Sequence, residues 1–120
     1  MRVCQPHILI VDDDVGLLMV LTSALHRQGY LVEAALSAED ALRSVERSLP
    51  ALVLLDVHMP EMDGACFARE LRDRGLAPRL IVMTGDDDAE QWAERLDADD
   101  YLPKPFALAE LLKTVEPWAD

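Results

Sequence analysis

Apolar residues gather in five short runs, and between the runs they recur every three or four positions. "HILIV" (7–11) is unbroken and rich in β-branched residues, the pattern of a strand covered on both faces. "YLVEAAL" is a second, weaker run, "ALVLLD" a third, "RLIVMT" a fourth and "DDYLP" a short fifth. The intervening stretches predict helices. Asp14 caps one that runs to Gln28, with Leu18, Leu21 and Leu25 on one face and Gly29 as its stop. "SAED" opens the next, with Ser37 as cap and Asp40 a shorter stand-in for the usual glutamate of a capping box. Its buried stripe is Ala41, Leu42, Val45 and Leu49. "MPEMDG" turns the chain into a third helix ending near Arg74. Asp86 to Asp88 open a fourth, and "FALAELLKTVE" forms the last. Strands alternating with helices imply a parallel sheet with right-handed crossovers and helices on both faces. No linker, repeat or low-complexity segment interrupts the alternation, so residues 1–120 read as one doubly wound (βα)5 domain of the α/β class.

Composition narrows the partners. The chain carries 23 acidic and 11 basic side chains, a net charge of −12. Such a surface repels phosphate backbones and anionic lipid, so neither direct nucleic-acid binding nor membrane attachment is expected. No apolar run approaches the ~20 residues of a membrane span. The start lacks a cleavable signal pattern. Cys4 and Cys66 stand far apart and form neither a disulfide framework nor a metal spacing. A cytoplasmic location is the expectation.

In a doubly wound sheet, ligands sit beyond the carboxyl ends of the strands. The first strand ends in Asp12, Asp13 and Asp14, the third in Asp56 and the fourth in Thr84, and Lys104-Pro105 follows the fifth. Neighbouring strands lie ~4.8 Å apart, so these side chains can converge. Two carboxylates ~4 Å apart repel by about 4 kcal/mol at an effective dielectric near ~20. A cluster of three calls for a proton or a cation, and oxygen-only ligands suit Mg²⁺. Lys104 is one of two lysines against nine arginines. A lysine, a hydroxyl and a metal beside one carboxylate make a site for a phosphoryl group. The carboxylate can attack phosphorus and carry it as an acyl phosphate. Metal and lysine neutralise the equatorial oxygens as charge spreads.

The segments "ILIVDDD", "LLDVHMPEMDG", "LIVMTG" and "DDYLPKPF", in that order, resemble the receiver domains of bacterial two-component response regulators. The resemblance covers essentially the whole chain. It implies the strand order 2-1-3-4-5 and makes Asp56 the phosphoacceptor. It implies Asp13 as a direct Mg²⁺ ligand, Asp12 acting mainly through water, and the His58 carbonyl completing the protein's share of the metal shell. Lys104 pairs with the phosphate, and the Lys104-Pro105 bond is expected to be cis. Thr84 and Tyr101 form the switch pair: the hydroxyl moves toward the phosphate and the ring turns inward. The side chains of His58 and Asp86 flank the path of the attacking water and set the lifetime of the phosphate. The donor is a sensor histidine kinase or a histidine phosphotransfer protein. The readout is the face of the fourth helix, fifth strand and fifth helix, which binds a downstream protein or a fused output domain, or dimerises. On this reading the domain is a switch, and catalyses at most its own phosphorylation and dephosphorylation.

Two alternatives compete. A haloacid-dehalogenase-like phosphatase also uses an aspartyl phosphate, and "DDD" contains its D-x-D, but Gly16 stands where a Thr or Val belongs and Asp12 would have to be the nucleophile. A receiver-like module that binds without phosphorylation usually lacks part of the acid, Thr and Lys set, which is complete here. Two departures from the family pattern fall near the partner-binding face. Thr84 and Lys104 are 20 positions apart, a shorter span than is common. The usual "GADDY" reads Asp97-Ala98-Asp99-Asp100-Tyr101, which puts an aspartate where a left-handed glycine is expected. Trp92 and Trp118 read as packing or partner contacts, Met59, Met62 and Met83 as fillers, and Cys66 as inert. "KTVEPWAD" leaves no room for an output domain, so the chain is expected to be a stand-alone receiver or a piece of a longer regulator.

Overall fold

The computed structural model describes residues 7–59, 64–85 and 87–118. The strands are β1 (His7–Val11), β2 (Leu31–Ala35), β3 (Leu52–Asp56), β4 (Arg79–Thr84) and β5 (Asp100–Pro103). The helices are α1 (Val15–Arg27), α2 (Ala38–Arg47), α3 (Gly64–Asp73), α4 (Ala89–Leu96) and α5 (Leu108–Val115). The sheet runs β2-β1-β3-β4-β5, and every pairing is parallel. This is the flavodoxin-like α/β order. It explains the unbroken apolar runs. Alternate residues of β1 face opposite layers, so Leu9 and Val11 join Phe67, Leu71 and Ala93 from α3 and α4. Ile8 and Ile10 join Leu21 and Leu25 of α1 and Leu111 and Val115 of α5. A strand covered on both sides has no face left for polar residues.

Local signals set most boundaries. Asp14 Oδ1 accepts the Leu17 N–H at 3.1 Å, and Gly29, at φ 93°, ends α1 in a conformation that costs other residues more. Ser37 Oγ accepts the Asp40 N–H at 3.1 Å, but only half of the capping box forms: the Asp40 carboxylate accepts from Arg43 at 3.0 Å instead. Leu49 departs from the expected stripe. Helix α2 stops at Arg47, so Leu49 leaves the helical period and is exposed. The short span before β5 is taken up by α4, which has only eight residues and no side-chain bond from Asp88 at its start. It ends at Asp97, whose φ of 55° puts an aspartate in the left-handed position. Arg72 of α3 donates to the Leu96 carbonyl and ties the two helices together. Among the described residues no helix is long and apolar enough to cross a membrane.

Candidate functional site

Register brings the acids together. Val11 pairs with Leu55 and Asp56 with Met83, so Asp12, Asp56 and Thr84 leave the sheet at one level, from β1, β3 and β4. Asp12 and Thr84 are fully buried, Asp56 is 5% exposed, and Asp13 is open to solvent. One carboxylate oxygen from each of Asp12, Asp13 and Asp56 lies within 4.8 Å of the others. Lys104 reaches in from the end of β5, where its N–H continues the ladder to the Thr84 carbonyl at 2.7 Å. Its Nζ is 2.7 Å from Asp12 Oδ2 and 3.6 Å from Asp56 Oδ2. The Lys104-Pro105 bond is cis.

Each carboxylate is also held by the backbone. Asp12 Oδ1 accepts the Asp14 N–H at 3.0 Å, and Asp56 Oδ1 accepts the His58 N–H at 3.1 Å. Burial pushes the Asp56 carboxyl above its ordinary value, and the charges of Asp12 and Asp13 add to this. The His58 N–H and Lys104 work the other way without cancelling it. Three acids with oxygen donors only, one lysine among them, and a carboxylate that resists ionisation are the donor set a hard divalent cation relieves. The residues fit Mg²⁺.

Of the other expected site residues, His58 stands exposed on the rim and Tyr101 lies on β5 with 37% of its surface exposed. Tyr101 lines an acidic groove of about 410 Å³ with Glu90 and Glu94 of α4. Asp86 lies outside the described residues, and so does Met62. Met59 and Met83 are buried fillers. Trp118 packs on the α1/α5 layer under the Arg79 guanidinium at 5.3 Å. Asp12, the nucleophile that a dehalogenase-like reading needs, is buried and ion-paired to Lys104.

Gly64 packs the start of α3 against Val57 at the end of β3, a role its place in "MPEMDG" signals only as a turn. Its N–H donates to the Val57 carbonyl at 3.1 Å, and a Cβ built on it would lie 2.8 Å from the Val57 Cα. That contact is backbone and cannot swing aside. Gly64→Ala should therefore push α3 away from the end of β3 and cost about 1–3 kcal/mol. Urea unfolding measures it, and an unchanged midpoint would show that the approach relaxes freely.

Comparison with known proteins agrees with this geometry. The family model for the response regulator receiver domain matches residues 8–116. The response regulator MprA of Mycobacterium leprae is 44% identical over 110 residues, covering 90% of this chain and 48% of that protein. MprA of Mycobacterium ulcerans is 43% identical over 107 residues, with 88% and 46% covered. The chain thus spans about half the length of these curated relatives. Among solved structures, the chemotaxis protein CheY4 of Vibrio cholerae superposes with a TM-score of 0.87 at 26% identity, covering 96% of this chain and 99% of its own. The receiver domain of NtrX from Brucella abortus gives 0.84 at 27%, covering 93% and 97%. With strand order, acid cluster and family match in agreement, the chain belongs to the receiver domains of response regulators.

Proposed function

We propose that this receiver is a phosphorylation-dependent switch in which Asp56 accepts a phosphoryl group from the phosphohistidine of a sensor kinase or phosphotransfer protein. The observation that carries the reading is the convergence of three carboxylates within 4.8 Å, with Lys104 Nζ 3.6 Å from Asp56 Oδ2. A carboxylate oxygen of Asp56 attacks phosphorus, the bond from phosphorus to the donor imidazole breaks, and the imidazole leaves. Lys104, already at the cleft, turns from Asp12 toward the new phosphoryl oxygens. Asp12, Asp13, Asp56 and the His58 carbonyl would hold Mg²⁺, which when bound supplies positive charge against those oxygens. The Thr84 hydroxyl donates to a phosphoryl oxygen, and Tyr101 turns inward from its exposed position. The α4–β5–α5 face then changes for a downstream protein, a fused output domain or a second copy. All of this takes place in the cytoplasm.

The test is incubation with phosphoramidate and Mg²⁺ followed by intact mass. One phosphoryl group should be added, and none in Asp56→Asn. Stoichiometric labelling of Asp56→Asn would move the phosphoacceptor elsewhere.

A further inference from the structure

The face formed by α4 and β5 carries one sign of charge, in places where the fold alone gains nothing from it. β5 is an edge of the sheet, and between it and α4 runs the groove of about 410 Å³ that Tyr101 lines. Glu90 and Glu94 stand one turn apart on α4, both exposed. Like charges at that spacing destabilise a helix. Asp97 follows at the C-terminal end of α4, where the helix dipole favours a cation. Asp99 and Asp100 continue the series along the same groove. Asp99 is engaged: its carboxylate accepts the Leu80 N–H at 2.8 Å and meets Arg79 at 3.4 Å. Glu90, Glu94 and Asp97 have no basic partner among the described residues. The nearest bases in sequence are occupied elsewhere, Arg95 over the Trp92 ring at 4.8 Å and Lys104 in the acidic cleft. Charges on an edge strand can serve to keep other strands away. Those on α4 lie off the edge and weaken the helix that carries them, so edge protection does not account for them.

We propose that the α4–β5 groove docks a basic segment of a partner protein, rich in lysine or arginine, and not a second copy of this receiver. The inference rests on this face being the one a partner reads. A two-fold contact sets the same patch against itself. Here it would bring Glu90, Glu94 and Asp97 of one copy onto those of the other, and α5 offers only Lys113 to answer them. A segment carrying cations relieves the repulsion along α4 and the acid at its end together. The aliphatic stems of its lysines or arginines rest on the Tyr101 ring, the aromatic wall of the groove. Because Tyr101 is also the residue that turns inward in the switch, phosphorylation reshapes that wall. Attraction toward a chain of net charge −12 speeds the encounter and makes it sensitive to salt.

The probe is a short fluorescein-labelled peptide alternating lysine and alanine, with a glutamate–alanine peptide as its counterpart, each titrated with the full chain and followed by anisotropy. The lysine peptide should bind, more weakly as salt is raised, and the glutamate peptide should not. Glu90→Gln combined with Glu94→Gln should weaken binding by about tenfold or more. The same pair should raise the urea midpoint, because it ends the repulsion along α4. Glu39→Gln combined with Asp40→Asn removes equal charge from α2 and should change the affinity by less than about twofold. Equal losses from the two pairs would show attraction to net charge alone and overturn the inference. Amide shifts caused by the peptide should fall on α4 and β5, and shifts centred on another face would overturn it as well. Sedimentation of the full chain with beryllofluoride and Mg²⁺ should show a monomer, and a dimer formed through this face would overturn the choice of partner. If phosphoramidate and Mg²⁺ change the amides of this face but the peptide does not bind, the inference falls and the switch stands. If the peptide binds there equally well before and after phosphorylation, the docking site stands and the switch at this face falls.

Discussion

Lys104→Met should destabilise the domain in the absence of divalent cation by on the order of 2 kcal/mol, below the about 3–5 kcal/mol of a fully buried pair that loses one partner. The Asp12 side chain is 1% exposed and that of Lys104 24%, so the pair is buried on its acidic side and partly screened on the other. Without the lysine, Asp12 still accepts the Asp14 N–H and faces Asp13 and Asp56 with no counter-charge among the described residues. Methionine preserves most of the stem, so the loss reports charge more than packing. Mg²⁺ should recover much of the deficit, because a cation held by the folded acid cluster and not by the unfolded chain stabilises the fold. Asp12→Asn combined with Lys104→Met should be milder than Lys104→Met alone, since the stranded charge goes with its partner. Urea melts in chelator and in Mg²⁺ read all of these values. Equal midpoints for Lys104→Met and wild type in chelator would show that Lys104 does not hold the cleft together.

The centre of the sheet was legible because burial on both faces leaves one residue pattern open to a strand. "HILIV" and "LVLLD" are such patterns, and the acids after each mark the sheet's carboxyl edge. Knowing that strands β1, β3, β4 and β5 end at one level was enough to gather Asp12, Asp56, Thr84 and Lys104. What was not legible depends on side-chain direction or on distant placement. Asp12 and Lys104 are 92 positions apart, and their ion pair follows from which oxygen the lysine meets first. His58, after β3, meets Trp92 of α4 edge to face. No period in the sequence fixes that rotation. Leu49 was misplaced because apolar spacing continues past the point where α2 ends at Arg47. Asp97 was read correctly because a left-handed helix end is a backbone demand that few residues meet, and aspartate is among them.

Asp56→Asn should be more stable than the wild type at neutral pH in chelator, and the gap should close as pH falls. Burial first, and then Asp12 and Asp13, raise the folded-state pKa of Asp56 above its ordinary value. In the unfolded chain the group titrates near ~3.9. Between these two values the folded state keeps a proton that the unfolded chain has lost. The stability Asp56 contributes is therefore fully present below the unfolded value and is lost as pH rises through the folded one, by up to about 1.4 kcal/mol per pH unit. Asparagine has no proton to lose, and its amide oxygen can still accept the His58 N–H. Glu33 runs the other way. Burial raises its carboxyl, but Ser44, Arg47 at 2.7 Å and His7 together bring it net below the ordinary value, so its contribution is lost on acidification. Both proteins contain Glu33, so the difference between them isolates Asp56. Mg²⁺ should stabilise the wild type at neutral pH by relieving the same repulsion, and stabilise Asp56→Asn less. Below the folded pKa the ion must displace a proton, and its effect should shrink. Urea midpoints of both proteins from about pH 5 to about pH 8, with and without Mg²⁺, give the full set. A gap that stays constant across that range would mean that Asp56 is ionised throughout and that the acid cluster stores no repulsion for a cation or a phosphoryl group to relieve.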